Sequence, residues 1–311
     1  YCMGSGMAVS KSFVIWAERY LQNKHFGKHQ ECNTRCLIDK VTRFEDEHKH
    51  PMNIDSMTAD DLRVFADFLS SDYDISMNTI VTNMTLMRTV CNWVRKQGVT
   101  NNDPFFGYDM PKALYGTPYF LTIQERDQVL DADLTDDAEL AEYRDMFVFQ
   151  CMVGCRHSDL VTFTPKNIID GVLEYIPIKT KGKLGDVVRV PLIPKAMAIL
   201  DGHDHGDDEP IFPKHYNFKF NDAIRRILKR AKVNRVVTVI NPKTRLEEKK
   251  PISDVATSHL ARRTFIGNLY RMVKDPDLVA SMSGHAKGSV AFARYRVIDD
   301  DMKKSLVELI Q

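Results

Sequence analysis

No uninterrupted apolar run in this 311-residue chain reaches the roughly 18 residues that a membrane-spanning helix needs. The first residues, Tyr1 to Met7, lack the pattern of a secretory signal and read as a short lead-in before a start at Met7. Cysteine is scarce, at six: Cys2, Cys32, Cys36, Cys91, Cys151 and Cys155. None forms a C-x-x-C pair, which argues against a zinc site, and Cys32/Cys36 and Cys151/Cys155 have i,i+4 helical spacing instead. Reduced thiols in a cytoplasmic protein are the expectation. An excess of one charge is also missing, since 43 basic residues face 42 acidic ones for a net charge of +1. That excludes a uniformly basic surface, so a polyanion would have to meet segregated positive charge. The chain has no internal repeat and no low-complexity tract.

Hydrophobic residues make up 43% of the chain, and its length fits two domains. A break falls near residues 110–118. Asn101-Asn102-Asp103-Pro104 closes a helical region, and Met110-Pro111-Lys112 and Gly116-Thr117-Pro118 read as an extended linker. Four or five helices precede it. Phe13–Asn23 carries Phe13, Ile15, Trp16 and Tyr20 at helical spacing, a second helix covers about 34–48, Thr58 caps a third through Leu69, and Ser76–Lys96 is a long fourth. After the linker, Thr122-Ile123-Gln124-Glu125 has capping-box spacing. The rest reads as mostly helix with a hairpin at 172–190 and a second at about 236–252. In the first hairpin, residues 170–180 form a strand, Lys181 to Asp186 the turn, and Val187 to Pro191 the return. Arg225, Arg226, Lys229 and Arg230 share one helical face and could form a basic stripe, although a solvated face is the commoner meaning of such a row.

Five residues carry the chemistry. Arg156 lies in Gly154-Cys155-Arg156-His157-Ser158-Asp159-Leu160. His259 and Arg262 stand three apart, on one helix face. His285 follows Gly284, and Tyr295 sits in Ala293-Arg294-Tyr295-Arg296. Arginine forks match phosphate oxygens, histidines move protons near neutrality, and tyrosine can attack and become covalently attached. Together they suit phosphodiester cleavage without a metal. A single His or Tyr is usually a packing residue; the signal lies in the ordered set.

That order resembles the tyrosine recombinases, the phage-type integrases and site-specific recombinases. Their pattern runs Arg, a hairpin Lys, His-x-x-Arg, Gly-His, then Tyr. Gly154 to Leu160 resembles the first box, Ser258 to Phe265 the second, and Ser283-Gly284-His285 the third with Ser for Leu. Tyr295 follows His285 by ten residues, one more than is common in the family, and no later tyrosine competes. The resemblance spans nearly the whole chain. It implies a mainly α fold with small β-hairpins: a helical, SAM-like core-binding domain over 1–112 and a mixed, mostly α catalytic domain over 113–311. It also implies Arg156, Lys179, His259, Arg262, His285 and Tyr295 as the catalytic set. Lys179 is favoured by its Lys-Thr pair at the strand end, with Lys181 and Lys183 remaining open.

The activity so implied is cleavage and rejoining of DNA strands through a 3′-phosphotyrosine, without cofactor or metal. The partners would be double-stranded recombination sites, bound by a homo-tetramer, in the cytoplasm and on the nucleoid, for integration or excision of a mobile element. The amphipathic segment 301–310 would dock on a neighbouring protomer or pack at home. Whether an arm-binding domain precedes these helices in the full protein stays open. Three alternatives remain: a DNA-binding protein with a decayed site, a type IB topoisomerase-like enzyme, and a hairpin-telomere resolvase.

Overall fold

The computed structural model describes residues 11–24, 26–180, 187–203, 206–213, 216–273 and 275–285, together with Phe292 and Val307. The chain divides into two compact units, Tyr1–Tyr115 with Ile240–Glu247, and Gly116–Val239 with Glu248–Gln311.

The first unit is built on four helices: α1 (Phe13–Gln22), α2 (Lys28–His48), α3 (Ala59–Ser71) and α4 (Met77–Lys96). Local chemistry sets their starts. The Thr58 hydroxyl accepts the Asp61 N–H at 3.3 Å while Asp61 Oδ2 accepts the Thr58 N–H at 2.7 Å, a reciprocal cap worth about 1 kcal/mol. Ser12 and Ser76 cap α1 and α4 through their side chains. The apolar stripes then meet around Phe13, Tyr20, Leu37, Phe44, Leu62, Phe65, Met84 and Val90, all buried. α2 begins six residues before the expected start. Residues 28–33 are polar and show no apolar period, but Glu31 pairs with Arg35 and His29 with Asn33 one turn apart, which supports a solvated first turn.

The second unit contains α5 (Ile123–Leu130), α6 (Ala138–Val153), α7 (His157–Leu160), α8 (Pro194–Asp201), α9 (Asn217–Arg230), α10 (Ile252–Val255), α11 (Ser258–Val273) and α12 (Pro276–Ser283). Thr122 and Glu125 close the expected box, at 3.0 and 2.9 Å. The second half of α6, Met146–Val153, is buried on all sides, with Phe147, Val148, Phe149 and Val153 fully so; it forms the axis of this unit, and α11 packs along it. A three-stranded antiparallel meander, β1 (Ile168–Ile169), β2 (Val172–Tyr175) and β3 (Val188–Pro191), pairs Val172 with Pro191 and Tyr175 with Val188. Two points differ from the sequence expectation. β1 is an added strand, too short to show alternation. β2 ends at Tyr175 rather than running to residue 180, because Pro177 has no N–H to donate and the Ile178 N–H goes to Asp159 Oδ1 at 2.9 Å. Residues Ile178–Thr180 form a 3₁₀ turn instead. The second hairpin pairs β4 (Val236–Ile240) with β5 (Glu247–Pro251). No helix among the described residues is long and apolar enough to cross a membrane.

Candidate active site

The site starts at the C-terminal end of α6. Gly154 caps the helix at φ 69°, a left-handed conformation that favours glycine, and a Cβ here would fall 2.2 Å from the Phe265 ring of α11. The two helices therefore approach closely at this point. Gln150, wholly buried, donates from Nε2 to the Cys155 carbonyl at 3.0 Å and locks the turn. The chain leaves that turn with Arg156 as the N-terminal flank of α7.

Arg262 reaches the same turn from α11. It is 1% exposed and donates from Nη1 to the Gly154 carbonyl at 2.7 Å. Its Nη2 lies 3.0 Å from His285 Nδ1 and 3.1 Å from Nε2, so the guanidinium sits against the nitrogen-bearing rim of the ring. His285 follows Gly284, which ends α12 at φ 65°; a Cβ at Gly284 would press on Val188 and Pro177 at 3.0 and 3.1 Å. The Ser283 hydroxyl is 2.8 Å from His285 Nδ1, and the His285 ring stands 5.2 Å from that of Phe292. The start of α11 is held from α9: the Ser258 N–H donates to Asn221 Oδ1 at 2.8 Å.

Four of the sequence-derived residues thus gather within unit 2, and a fifth acts on them. Lys179 is exposed on the 3₁₀ turn, a correction to its expected place at a strand end, and its charge bears on both His259 and His285. Asp159, 1% exposed, anchors that turn through the Ile178 N–H. Tyr295, Lys181, Lys183 and the segment 301–310 apart from Val307 lie outside the described residues.

The electrostatics are lopsided. Burial and then the cations Arg262 and Arg156, with His259 and Lys179, push His285 from its ordinary 6.5 down to about 3. Desolvation by packed atoms, then Arg263, Arg262, Arg156 and Lys179, push His259 down to about 4, although its side chain keeps exposed surface. Both imidazoles are therefore neutral at pH 7. Arg156 Nη1 is buried and meets no hydrogen-bond partner among the described residues. An arginine nitrogen of that kind is costly unless an anion completes it.

The expected basic stripe on α9 is otherwise engaged. Arg225 pairs with Asp222 at 3.4 Å, Arg226 with Asp137 at 2.7 Å, Lys229 with Asp254 at 2.8 Å and Arg230 with Asp136 at 2.5 Å. The sequence could not show those partners, three of which lie outside α9. Sequence reasoning also missed Ser283 as a contact of His285; the only signal was a serine where the resemblance expected leucine. Cys91, Cys151 and Cys155 are buried, and burial raises each thiol well above its ordinary range.

Residues 119–302 match the sequence model of the phage integrase family, and residues 12–110 that of the phage integrase SAM-like domain. Among solved structures, the chain is similar to the integrase of the Tn1549 transposon in complex with a circular intermediate DNA, at 15% identity over 97% of this chain and 100% of that one, with a TM-score of 0.71. It is also similar to a lambda integrase dimer bound to a COC′ core site, at 14% identity over 92% of this chain and 95% of that one, with a TM-score of 0.67. At these identities the likeness is one of fold. No protein of curated function matches the sequence.

Proposed function

Because this chain belongs to the phage integrase family and is a tyrosine site-specific recombinase, we propose that Tyr295 attacks a DNA phosphate under the control of Arg156, Lys179, His259, Arg262 and His285. The phenol forms a 3′-phosphotyrosine and releases a 5′-hydroxyl. The hydroxyl of a partner strand then attacks the phosphotyrosine and frees the phenol. The phosphodiester energy is kept in that link, so the cycle calls for neither metal nor nucleotide. Arg156 and Arg262 hold the nonbridging oxygens, where charge builds in the transition state. Lys179 protonates the leaving 5′-oxygen. His259, held neutral by desolvation and then by its cationic neighbours, takes the phenol proton, which at an ordinary pKa of about 10 does not leave unaided. His285 hydrogen-bonds the phosphate.

The observation that carries this reading is the buried Arg156 Nη1, without an acceptor among the described residues, on the same turn after α6 whose Gly154 carbonyl holds Arg262. A phosphate oxygen supplies the missing acceptor. The DNA-complexed relatives support double-stranded recombination sites as the partner, a homo-tetramer would join two of them, and integration or excision of a mobile element in the cytoplasm is the role that follows. Covalent trapping tests the assignment. Wild type on nicked duplexes carrying candidate attachment sites should yield an SDS-resistant protein–DNA adduct, and Tyr295→Phe should yield none. An adduct from Tyr295→Phe would remove Tyr295 from the nucleophile's role. Binding without any adduct from wild type would favour a DNA-binding protein with a decayed site.

A further inference from the structure

We infer that Arg263 is a further DNA-contacting residue, binding the phosphodiester beside the one that Arg156 and Arg262 would hold, and that Tyr119 is the positioning residue that aims it. The identity of the ligand rests on the proposed function, while the aim of the side chain rests on geometry alone. Arg263 lies four residues after His259 on α11, so the two share a face. Arg262 is 1% exposed and turned into the unit, whereas Arg263 is half-buried and His259 keeps exposed surface. Of the cations around His259, Arg263 bears on it most.

Tyr119 is a platform fixed at its far end. The guanidinium carbon of Arg263 stands 5.2 Å from the Tyr119 ring centroid, over the ring face. The Tyr119 hydroxyl donates to the Val255 carbonyl at 2.9 Å. Val255 ends α10 and Ser258 starts α11, so platform and arginine are tied to the same corner of the unit. A cation held on a ring face has its direction set before any ligand arrives, which saves the ordering cost of a long side chain.

A guanidinium offers five N–H groups in one plane. Tyr119 engages that plane through its ring and its phenol oxygen, which leaves most of the donors over. No carboxylate pairs with Arg263 among the described residues, in contrast to each of the four cations on α9. An oriented, uncompensated fork open to solvent matches two oxygens of a phosphate. Four residues of helix advance about 6 Å, which sets Arg263 beside the phosphate that His259 serves rather than on it.

Salt titration of affinity for a duplex carrying a candidate attachment site tests this, because each phosphate contact adds about −0.9 to the slope of log K against log salt. Arg263→Gln should bind about tenfold more weakly, with a slope shallower by about one. Arg263→Lys should keep the slope and recover part of the affinity. Tyr119→Leu should lose affinity severalfold at an unchanged slope, and Tyr119→Phe, which keeps the ring, should not. Neutral methylphosphonates placed singly around the cleavage position should locate the contact: one of them weakens wild type and leaves Arg263→Gln indifferent. A merely structural role would move denaturant melts and not the slope. An unchanged slope in Arg263→Gln, or one methylphosphonate profile shared by both proteins, would overturn the proposal. So would a defect confined to association between copies of the chain, which would make the ligand an acidic protein surface. Unchanged affinity in Tyr119→Leu would remove Tyr119 from its role, and the Arg263 variants decide the contact even if Tyr119→Leu fails to fold. A wild type that binds DNA without forming an adduct would sink Tyr295 as nucleophile and leave the slope result standing.

Discussion

Along α9, four cations each meet a carboxylate within 3.4 Å, whereas around α7 and α11 the cations Arg156, Arg262 and Lys179 converge on two imidazoles, with Arg263 added at His259. The two regions belong to the same unit, and both use positive side chains at helical spacing. In the first, the positive potential is cancelled locally and little of it is left for a ligand. In the second it is left standing, burial and these cations together keep both histidines neutral, and Arg156 Nη1 is buried without an acceptor among the described residues. With a net charge of only +1, positive potential can be concentrated only by spending carboxylates elsewhere.

Removing Arg262 should break the comparison most severely, because one side chain both holds the Gly154 turn and belongs to the proposed site. Arg262→Ala strips the Gly154 carbonyl of its buried donor and leaves a cavity between α6 and α11. Folding stability should fall by about 2–4 kcal/mol, read from denaturant melts. Adduct formation should fall by about 10²–10³-fold beyond what unfolding explains, as for loss of a donor to a transition-state oxygen. A variant with wild-type stability would show that the Gly154 bond contributes nothing to the fold.

Arg156→Ala sharpens the contrast by separating the two roles. Its Nη1 has no acceptor to orphan among the described residues, so stability should change by less than about 1 kcal/mol while adduct formation drops by about 10²-fold or more. Arg156→Lys should recover only part of the rate, since an ammonium cannot offer the planar fork. A large loss of stability with little loss of rate would make Arg156 a structural residue.

Legibility from sequence followed the range of the interactions. The boxes at Thr58/Asp61 and Thr122/Glu125 were readable because all their partners lie within four residues. The members of the candidate site were readable by type and order. How they are held was not: the Arg262 bond to Gly154 spans 108 residues, and the bond that halts β2 runs from Ile178 back to Asp159. A strand pattern cannot reveal that an N–H is taken by a distant carboxylate, so Lys179 read as a strand end when it lies on a turn.

The neutral histidines add a pH test with a definite sign. Both have folded values below the ordinary 6.5, at about 4 for His259 and about 3 for His285. Below pH 6.5 the unfolded chain binds protons that the folded chain refuses, so their contribution to stability is complete above 6.5 and is lost as pH falls toward 4. With partial exposure discounted, His285→Asn should flatten the stability profile between pH 7 and pH 5 by about 1 kcal/mol, measured by denaturant melts at each pH. An identical slope in wild type and variant would mean that neither burial nor the surrounding cations hold the ring neutral.

The smallest effect is expected on α9. Arg226 pairs with Asp137, whose other oxygen accepts the Leu140 N–H at 3.0 Å and caps α6. Arg226→Ala removes an exposed ion pair but leaves the cap, so stability should fall by only about 0.2–1 kcal/mol. DNA affinity by gel shift should stay within about threefold at fixed salt, because a cation already neutralised by its carboxylate adds little attraction for phosphate. Asp137→Ala should cost more, about 1–2 kcal/mol, since the cap goes as well. It would also free Arg226, and a gain in DNA affinity there would show that α9 faces the duplex with its charge masked. A tenfold loss of affinity in Arg226→Ala would do more, placing the paired row in contact with DNA and dissolving the distinction between the two cationic regions.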